Sequence, residues 1–190
     1  MSERLIGILT DSFGKILMPG LTMTIPLTVI SFSIGMVIAV ACALVQFAKI
    51  KVLTPIVRTY IWIIRGTPLL VQMYIFYFFI PMVFPILNRV DKVYTVLMSL
   101  ILNSSAYVAE IIRGGINSVD SGQTEAARSL GMTAKHTMTK IVLPQAIKNI
   151  LPSLANEYIA MIKETSMAGS FMLYEMMYTR TVLANKFVVW

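Results

Sequence analysis

Three stretches of this chain carry no charged side chain: residues 16–48, 66–88 and 93–109. A helix crossing a bilayer needs about 20 apolar residues, and about 17 can suffice. All three runs meet that length, the third only just. The chain as a whole is 57% hydrophobic and 13% charged, where a soluble domain carries about a quarter charged residues. The expectation is an all-α membrane protein, one transmembrane domain over residues 1–190.

The net charge of +7 is confined to particular connections. Lys49, Lys51, Arg58 and Arg65 stand together with no acid among them. Between Arg113 and Lys148 five bases face only Asp120 and Glu125. The first twenty residues and those from Asn149 onward are balanced. Loops rich in Lys and Arg stay cytoplasmic. This puts the first and third connections inside and the N-terminus and second connection outside. The basic loops lack the interleaved aromatics that hold single-stranded nucleic acid, so nucleic acid is not an expected partner; membrane lipid is. The single cysteine, Cys42, lies inside an apolar run and reads as a packing residue.

Leu5, Leu9, Phe13 and Leu17 recur every four residues, the spacing of an amphipathic helix lying at the interface over residues 1–17. The first span is expected over 21–47. It is rich in small and hydroxyl residues, among them Thr24, Thr28, Ser31, Gly35 and Ala39, which let helices approach closely in lipid; Pro26 would kink it. The second, over 55–83, is loosened at Arg65-Gly-Thr-Pro68, and Pro81 and Pro85 end it. Its aromatics Tyr74, Phe76, Tyr77, Phe78 and Phe79 either line a pocket or face lipid and sister helices. The third, over 93–112, carries Asn103, Ser104, Ser105 and Tyr107, and polar groups at membrane depth face a bundle interior or cavity. Glu110 and Arg113 share a helical face and can pair. A fourth span, from Pro144 to about Leu173, is interrupted by Glu157, Lys163 and Glu164, with Pro152 breaking its approach, and a hydropathy scan would miss it. Lys163 and Glu164 are costly in lipid unless paired or wet. With Asn103, Tyr107 and Glu110 they are the candidates for a translocation path. The alternative is structural pairing, within one helix for Glu110 and between helices for Lys163 and Glu164.

The longest polar passage is Gly122-Gln-Thr-Glu-Ala-Ala-Arg-Ser-Leu-Gly131, continuing to Ile141-Val-Leu-Pro-Gln145. Asp120 or Ser121 can accept from the free N–H groups of a helix that starts near Gly122. Gly131 suits the left-handed position that closes a helix. Thr133 can cap a second helix, which stops or bends near Pro144. No catalytic constellation, metal site or cofactor is expected: His136 is the only histidine and stands without partners. No Gly-x-x-x-x-Gly-Lys-Ser/Thr loop occurs, so ATP would be bound by another chain.

Glu125-Ala-Ala127, Gly131 and Ile141-x-Leu-Pro144 resemble the EAA loop of permease subunits of bacterial ABC importers. The agreement extends to Arg65-Gly-Thr-Pro-Leu-Leu-Val-Gln72, Ala106-Tyr-x-Ala-Glu-Ile-x-Arg-Gly-Gly-Ile116, Leu143-Pro-Gln-Ala146 and Lys163-x-Thr-Ser166. These are similar to the polar amino-acid uptake branch, and the resemblance covers roughly residues 20 to 185. It implies a bundle of about four spanning helices as far as Trp190, where the family usually has five, in a bacterial inner membrane. The 120–145 segment would be the cytoplasmic coupling loop. Its short coupling helix would dock Ala126, Ala127 and Leu130 into an ATPase cleft, with Glu125 and Arg128 at the rim, Gly131 fixing the angle, and Leu143 and Pro144 closing the motif. The implied partners are two ABC ATP-binding subunits, a second permease copy or close relative, and an extracytoplasmic solute-binding protein. The implied function is translocation of polar amino acids by a non-catalytic subunit. The alternative is a truncated, non-transporting membrane scaffold that still binds an ATPase.

Overall fold

Lipid offers the backbone no hydrogen bonds, so a chain that crosses it must satisfy its own. The computed structural model describes residues 2–187, and every regular element among them is helical. In order these are α1 (Ser2–Pro19), α2 (Ile25–Ala48), α3 (Leu53–Gly66), α4 (Leu69–Tyr74), α5 (Ile80–Val83), α6 (Lys92–Asn117), α7 (Ser121–Ser129), α8 (Ala134–Thr137), α9 (Leu143–Glu164) and α10 (Met176–Phe187). Short 3₁₀ segments follow α5 and α9, at Pro85–Arg89 and Thr165–Phe171.

The prolines act differently from the expectation. Three π turns, Gly20–Thr24, Ile75–Phe79 and Met138–Val142, each lie just ahead of an X–Pro step. Their closing bonds run from Ile25 N–H to the Gly20 carbonyl, Ile80 N–H to Ile75, and Leu143 N–H to Met138. The next residue is Pro26, Pro81 or Pro144. A proline lacks an N–H, and its ring clashes with the carbonyl four residues back. In each case that carbonyl belongs to the middle residue of the π turn, where the wider winding gives it room. The helix therefore continues past Pro81, which was expected to end it, and stops at Val83 ahead of Pro85. α8 passes through Pro144 into α9, and Pro152 lies inside α9 rather than breaking its approach. Likewise α1 does not stop near residue 17 but runs through the Gly20–Thr24 turn into α2. The side chains of Leu5 and Leu9 lie outside the described residues, as do residues 188–190, where the family's last helix was expected to begin.

Among the described residues two helices are long and apolar enough to cross a membrane, Ser12–Ala48 and Lys92–Asn117, and Leu53–Gly66 with Leu69–Val83 make a third if that broken pair is one span. The break falls at Thr67-Pro68, as the Gly–Pro chemistry predicts. The first span shows how its residues are sorted. Gly20, Thr24, Thr28, Ser31, Gly35, Ala39 and Ala43 are buried at helical spacing, whereas Ile30, Ile34, Val37 and Leu44 are exposed. Small and hydroxyl groups face inward and large apolar groups outward, the arrangement that lipid favours and water does not.

The chain forms two compact units. The first comprises residues up to Ser33, Leu69–Ile101 and those from Ile159 onward; the second comprises Ile34–Pro68 and Leu102–Tyr158. The core of the first is Leu69, Met73, Val96, Leu100, Ala168, Phe171 and Leu173. Tyr74 and Tyr77 pack on Phe171 with ring centroids 5.0 and 4.8 Å away, and Phe78 packs on Tyr77 at 4.6 Å, while Phe79 is exposed. The aromatic run is thus divided between packing and surface. Buried Glu175 caps α10, accepting from Met177 N–H at 2.8 Å and Tyr178 N–H at 2.5 Å.

In the second unit α6 crosses α9 closely. A Cβ on Gly115 would lie 1.8 Å from Ile150 Cγ2 and 3.4 Å from the Ala146 carbonyl oxygen, so only glycine fits that crossing. Tyr60 of α3 bonds to α6, its hydroxyl donating to the Leu102 carbonyl (2.7 Å) and meeting Ser105 Oγ at 2.5 Å.

Candidate functional site

Two features of the second unit carry the candidate residues. The first is the helix–turn–helix at 120–137. Asp120 caps α7, its carboxylate accepting from Gly122 N–H at 2.8 Å. The far end closes with paired bonds: Met132 N–H donates to the Ala127 carbonyl (3.1 Å) and Gly131 N–H to the Arg128 carbonyl (3.0 Å). This is the Schellman closure, and Gly131 holds its left-handed position at φ +83°. Arg128 adds a third lock, donating to the Met132 carbonyl at 2.5 Å. Thr133 then caps α8 through His136 N–H at 3.2 Å. Both helices are held at their starts and the turn at its centre, so the segment has one defined shape.

α7 packs against the Met138–Val142 turn, and Ala127, Thr137 and Val142 are the buried residues of these elements. Gln145 Nε2 bonds the Ile141 carbonyl (3.0 Å) and reaches Gln123 Oε1 at 3.4 Å. Asn149 Nδ2 donates to Ser118 Oγ at 2.9 Å. Leu143 and Pro144 belong to this support: Leu143 closes the π turn and Pro144 requires it. Of the proposed docking residues, Glu125, Ala126, Arg128, Leu130 and Gly131 are exposed, Leu130 to 85%. Ala127 is not available. It is buried in its own chain, where its small side chain lets α7 lie close to the turn beneath.

The second feature is an ionic cluster on facing sides of α3 and α6. Arg113 pairs with Glu110 through two hydrogen bonds, Nε donating to Oε2 at 3.0 Å and the second nitrogen to Oε1. Arg65 stands 3.7 Å from the same carboxylate, its guanidinium over the Tyr107 ring at 5.4 Å. The cluster borders a recess of about 550 Å³ that Gln46, Arg58, Trp62 and Gly66 also line. Glu110 and Arg113 were legible as an i, i+3 pair; the contributions of Arg58, Arg65 and Trp62 were not drawn from the sequence. The signal was there, because positions 58, 62 and 65 share one helical face.

Asn103 is buried in α6. Tyr107 and Glu110, one and two turns on, border the recess. Lys163 and Glu164 belong to the first unit, and neither is ion-paired among the described residues, which removes the interhelix salt bridge within this chain. Lys163 borders a recess of about 490 Å³ together with Thr24, Ser166, Glu175 and Arg180. Glu175 was missed because its role, capping α10 from a buried position, depends on a turn that composition does not reveal.

Small and hydroxyl residues turned inward and a doubly capped helix–turn–helix between α6 and α9 define a helical membrane protein with an ordered polar segment between two long helices. The chain belongs to the family of binding-protein-dependent transport system inner membrane components, whose model matches residues 32–187. It is 40% identical over 167 residues to the L-cystine transport system permease protein TcyB of Bacillus subtilis, covering 87% of this chain and 70% of that one. It is 43% identical over 157 residues to the putative glutamine transport system permease protein GlnP of Rickettsia prowazekii, covering 83% and 70%. Among solved structures, the crystal structure of an amino acid ABC transporter with histidines matches with a TM-score of 0.87 at 38% identity, covering 93% of this chain and 81% of that one.

Proposed function

We propose that this chain is the membrane-spanning subunit of an ATP-driven importer of polar amino acids, with the 120–137 segment as its contact to the ATPase. The single observation that carries the reading is the shape of that segment. A doubly capped helix and a left-handed glycine turn present Glu125, Ala126, Arg128 and Leu130 outward on a fixed backbone. A device that transmits force needs such rigidity, and exposed Leu130 supplies an apolar anchor with charges at its rim, where they set register more than affinity. The amino-acid class rests on relatives named for cystine and glutamine. The partners are two ATP-binding subunits, a second permease copy or close relative, and an external solute-binding protein. α9, at 22 residues about 33 Å long, is the fourth span, and its low hydropathy follows from Lys148, Glu157, Lys163 and Glu164 within it. The N-terminus is outside and the 120–145 loop cytoplasmic, by the excess of bases in the two inner connections.

Gly131→Pro tests the reading. Proline cannot adopt φ +83° and removes the N–H that bonds the Arg128 carbonyl. In proteoliposomes holding the assembled transporter, ATP-dependent uptake of labelled cystine or glutamine should be present in the wild type and lost in the variant. Co-purification of the ATPase should be lost with it. Undiminished uptake by the variant would remove the coupling role, and ATPase binding without uptake by the wild type would favour a scaffold.

A further inference from the structure

The recess between α3 and α6 has a charge balance that the ionic cluster does not explain. Arg58, Arg65 and Arg113 border it, and Glu110 is the one carboxylate among its lining residues. Glu110 is engaged by Arg113 and approached by Arg65. Arg58 is exposed and has no partner among the described residues. Two positive charges therefore remain uncompensated in one concave site. Gln46 adds a buried amide nitrogen with no hydrogen-bond partner among the described residues. Arg58, Trp62 and Arg65 lie at i, i+4 and i+7 along α3, and Trp62 is 75% exposed.

We propose that this recess binds a phosphate-bearing anion, with an anionic phospholipid headgroup as the source the setting favours. Guanidinium groups match phosphate oxygens through paired N–H donors, and an amide nitrogen adds a neutral donor. An exposed tryptophan between two arginines provides an apolar body beside the headgroup contacts, as at membrane–water boundaries. The site shares no residue with the ATPase contact, and it borders two candidates for the translocation path, Tyr107 and Glu110.

The test uses the assembled, delipidated transporter in detergent, incubated with equal amounts of phosphatidylglycerol and phosphatidylcholine. Retained lipid is counted by native mass spectrometry. Phosphatidylglycerol should be retained preferentially. Arg58→Gln, which leaves the Glu110–Arg113 pair intact, should weaken that retention about tenfold, the size expected for one lost charge-assisted contact. Lys51→Gln, outside the recess, should leave retention unchanged and controls for general surface charge. A parallel titration with inorganic phosphate alone distinguishes the sources. Displacement of the lipid by phosphate, with the same dependence on Arg58, assigns the site to a soluble phosphate, and failure to displace assigns it to the headgroup. Equal retention of the two lipids with no phosphate binding overturns the proposal. So does a loss of phosphatidylglycerol that follows Lys51→Gln and not Arg58→Gln.

Discussion

Gly114 and Gly115 are adjacent in α6, yet their surroundings assign them opposite behaviour. A methyl on Gly114 meets nothing within 4 Å, whereas one on Gly115 runs into Ile150 and the Ala146 carbonyl. Gly115→Ala should therefore cost about 1–3 kcal/mol, the usual penalty for overpacking, because Ile150 must turn away and the two helices must part. Gly114→Ala should be neutral or slightly stabilising, since alanine is the better helix former. Thermal melting of the two variants in detergent reads the difference directly; equal melting points would mean that the close crossing is relieved elsewhere. Asp120 offers a second test at this scale. Its carboxylate accepts from Gly122 N–H, so Asp120→Ala should cost about 1 kcal/mol and Asp120→Asn much less. Amide exchange at residues 121–124 should speed up in the alanine variant alone. Both effects trace to side chains whose types could be read early. Asp120 was legible as a cap because capping is local, but the Gly115 crossing was not, because nothing near it in the sequence points to Ile150.

At the scale of elements, the prolines separate what the sequence can specify from what it cannot. Each was legible as a disturbance of the helix. Whether a helix breaks, kinks or widens depends on what holds it on both sides. At Pro68 the chain has Gly66 just before it, and the helix breaks. Ahead of Pro26, Pro81 and Pro144 the carbonyl four residues back is accommodated by one π turn, and the helix goes on. The turn before Pro144 also sets how α8 is rotated about the axis it shares with α9, because a π turn adds one residue of winding. Pro144→Ala restores an N–H and removes the ring that requires the wide turn. The variant should keep its thermal stability to within about 1 kcal/mol, typical for a change away from a packed contact. It should transport fewer molecules per ATP hydrolysed, because the exposed face of 121–137 would lose its fixed angle to α9. Measuring uptake and hydrolysis in the same proteoliposomes gives that ratio; an unchanged ratio would mean that α7 packing alone holds the angle.

Over the whole molecule, sidedness follows from charge that is spread along the chain rather than from any one contact. The apolar runs made the membrane class legible, and the basic clusters implied an orientation. The proposed fourth span was harder to see: α9 contains Lys148, Glu157, Lys163 and Glu164, so only its length, not its hydropathy, speaks for it. Both inferences meet in one experiment. With the native thiol removed by Cys42→Ala, single cysteines are placed at Asn88, between the second and third spans, and at Thr139, an exposed residue of the Met138–Val142 turn. The positive-inside pattern requires a membrane-impermeant maleimide to label Asn88→Cys in intact cells and Thr139→Cys only after permeabilisation. A third cysteine at Tyr174, which is exposed beyond α9, separates the topologies. Labelling from outside means that α9 crosses, since the chain must return after the inner loop. Protection equal to that of Thr139→Cys means that α9 does not cross, and Lys163 and Glu164 then lie at the inner surface instead of near a transport path.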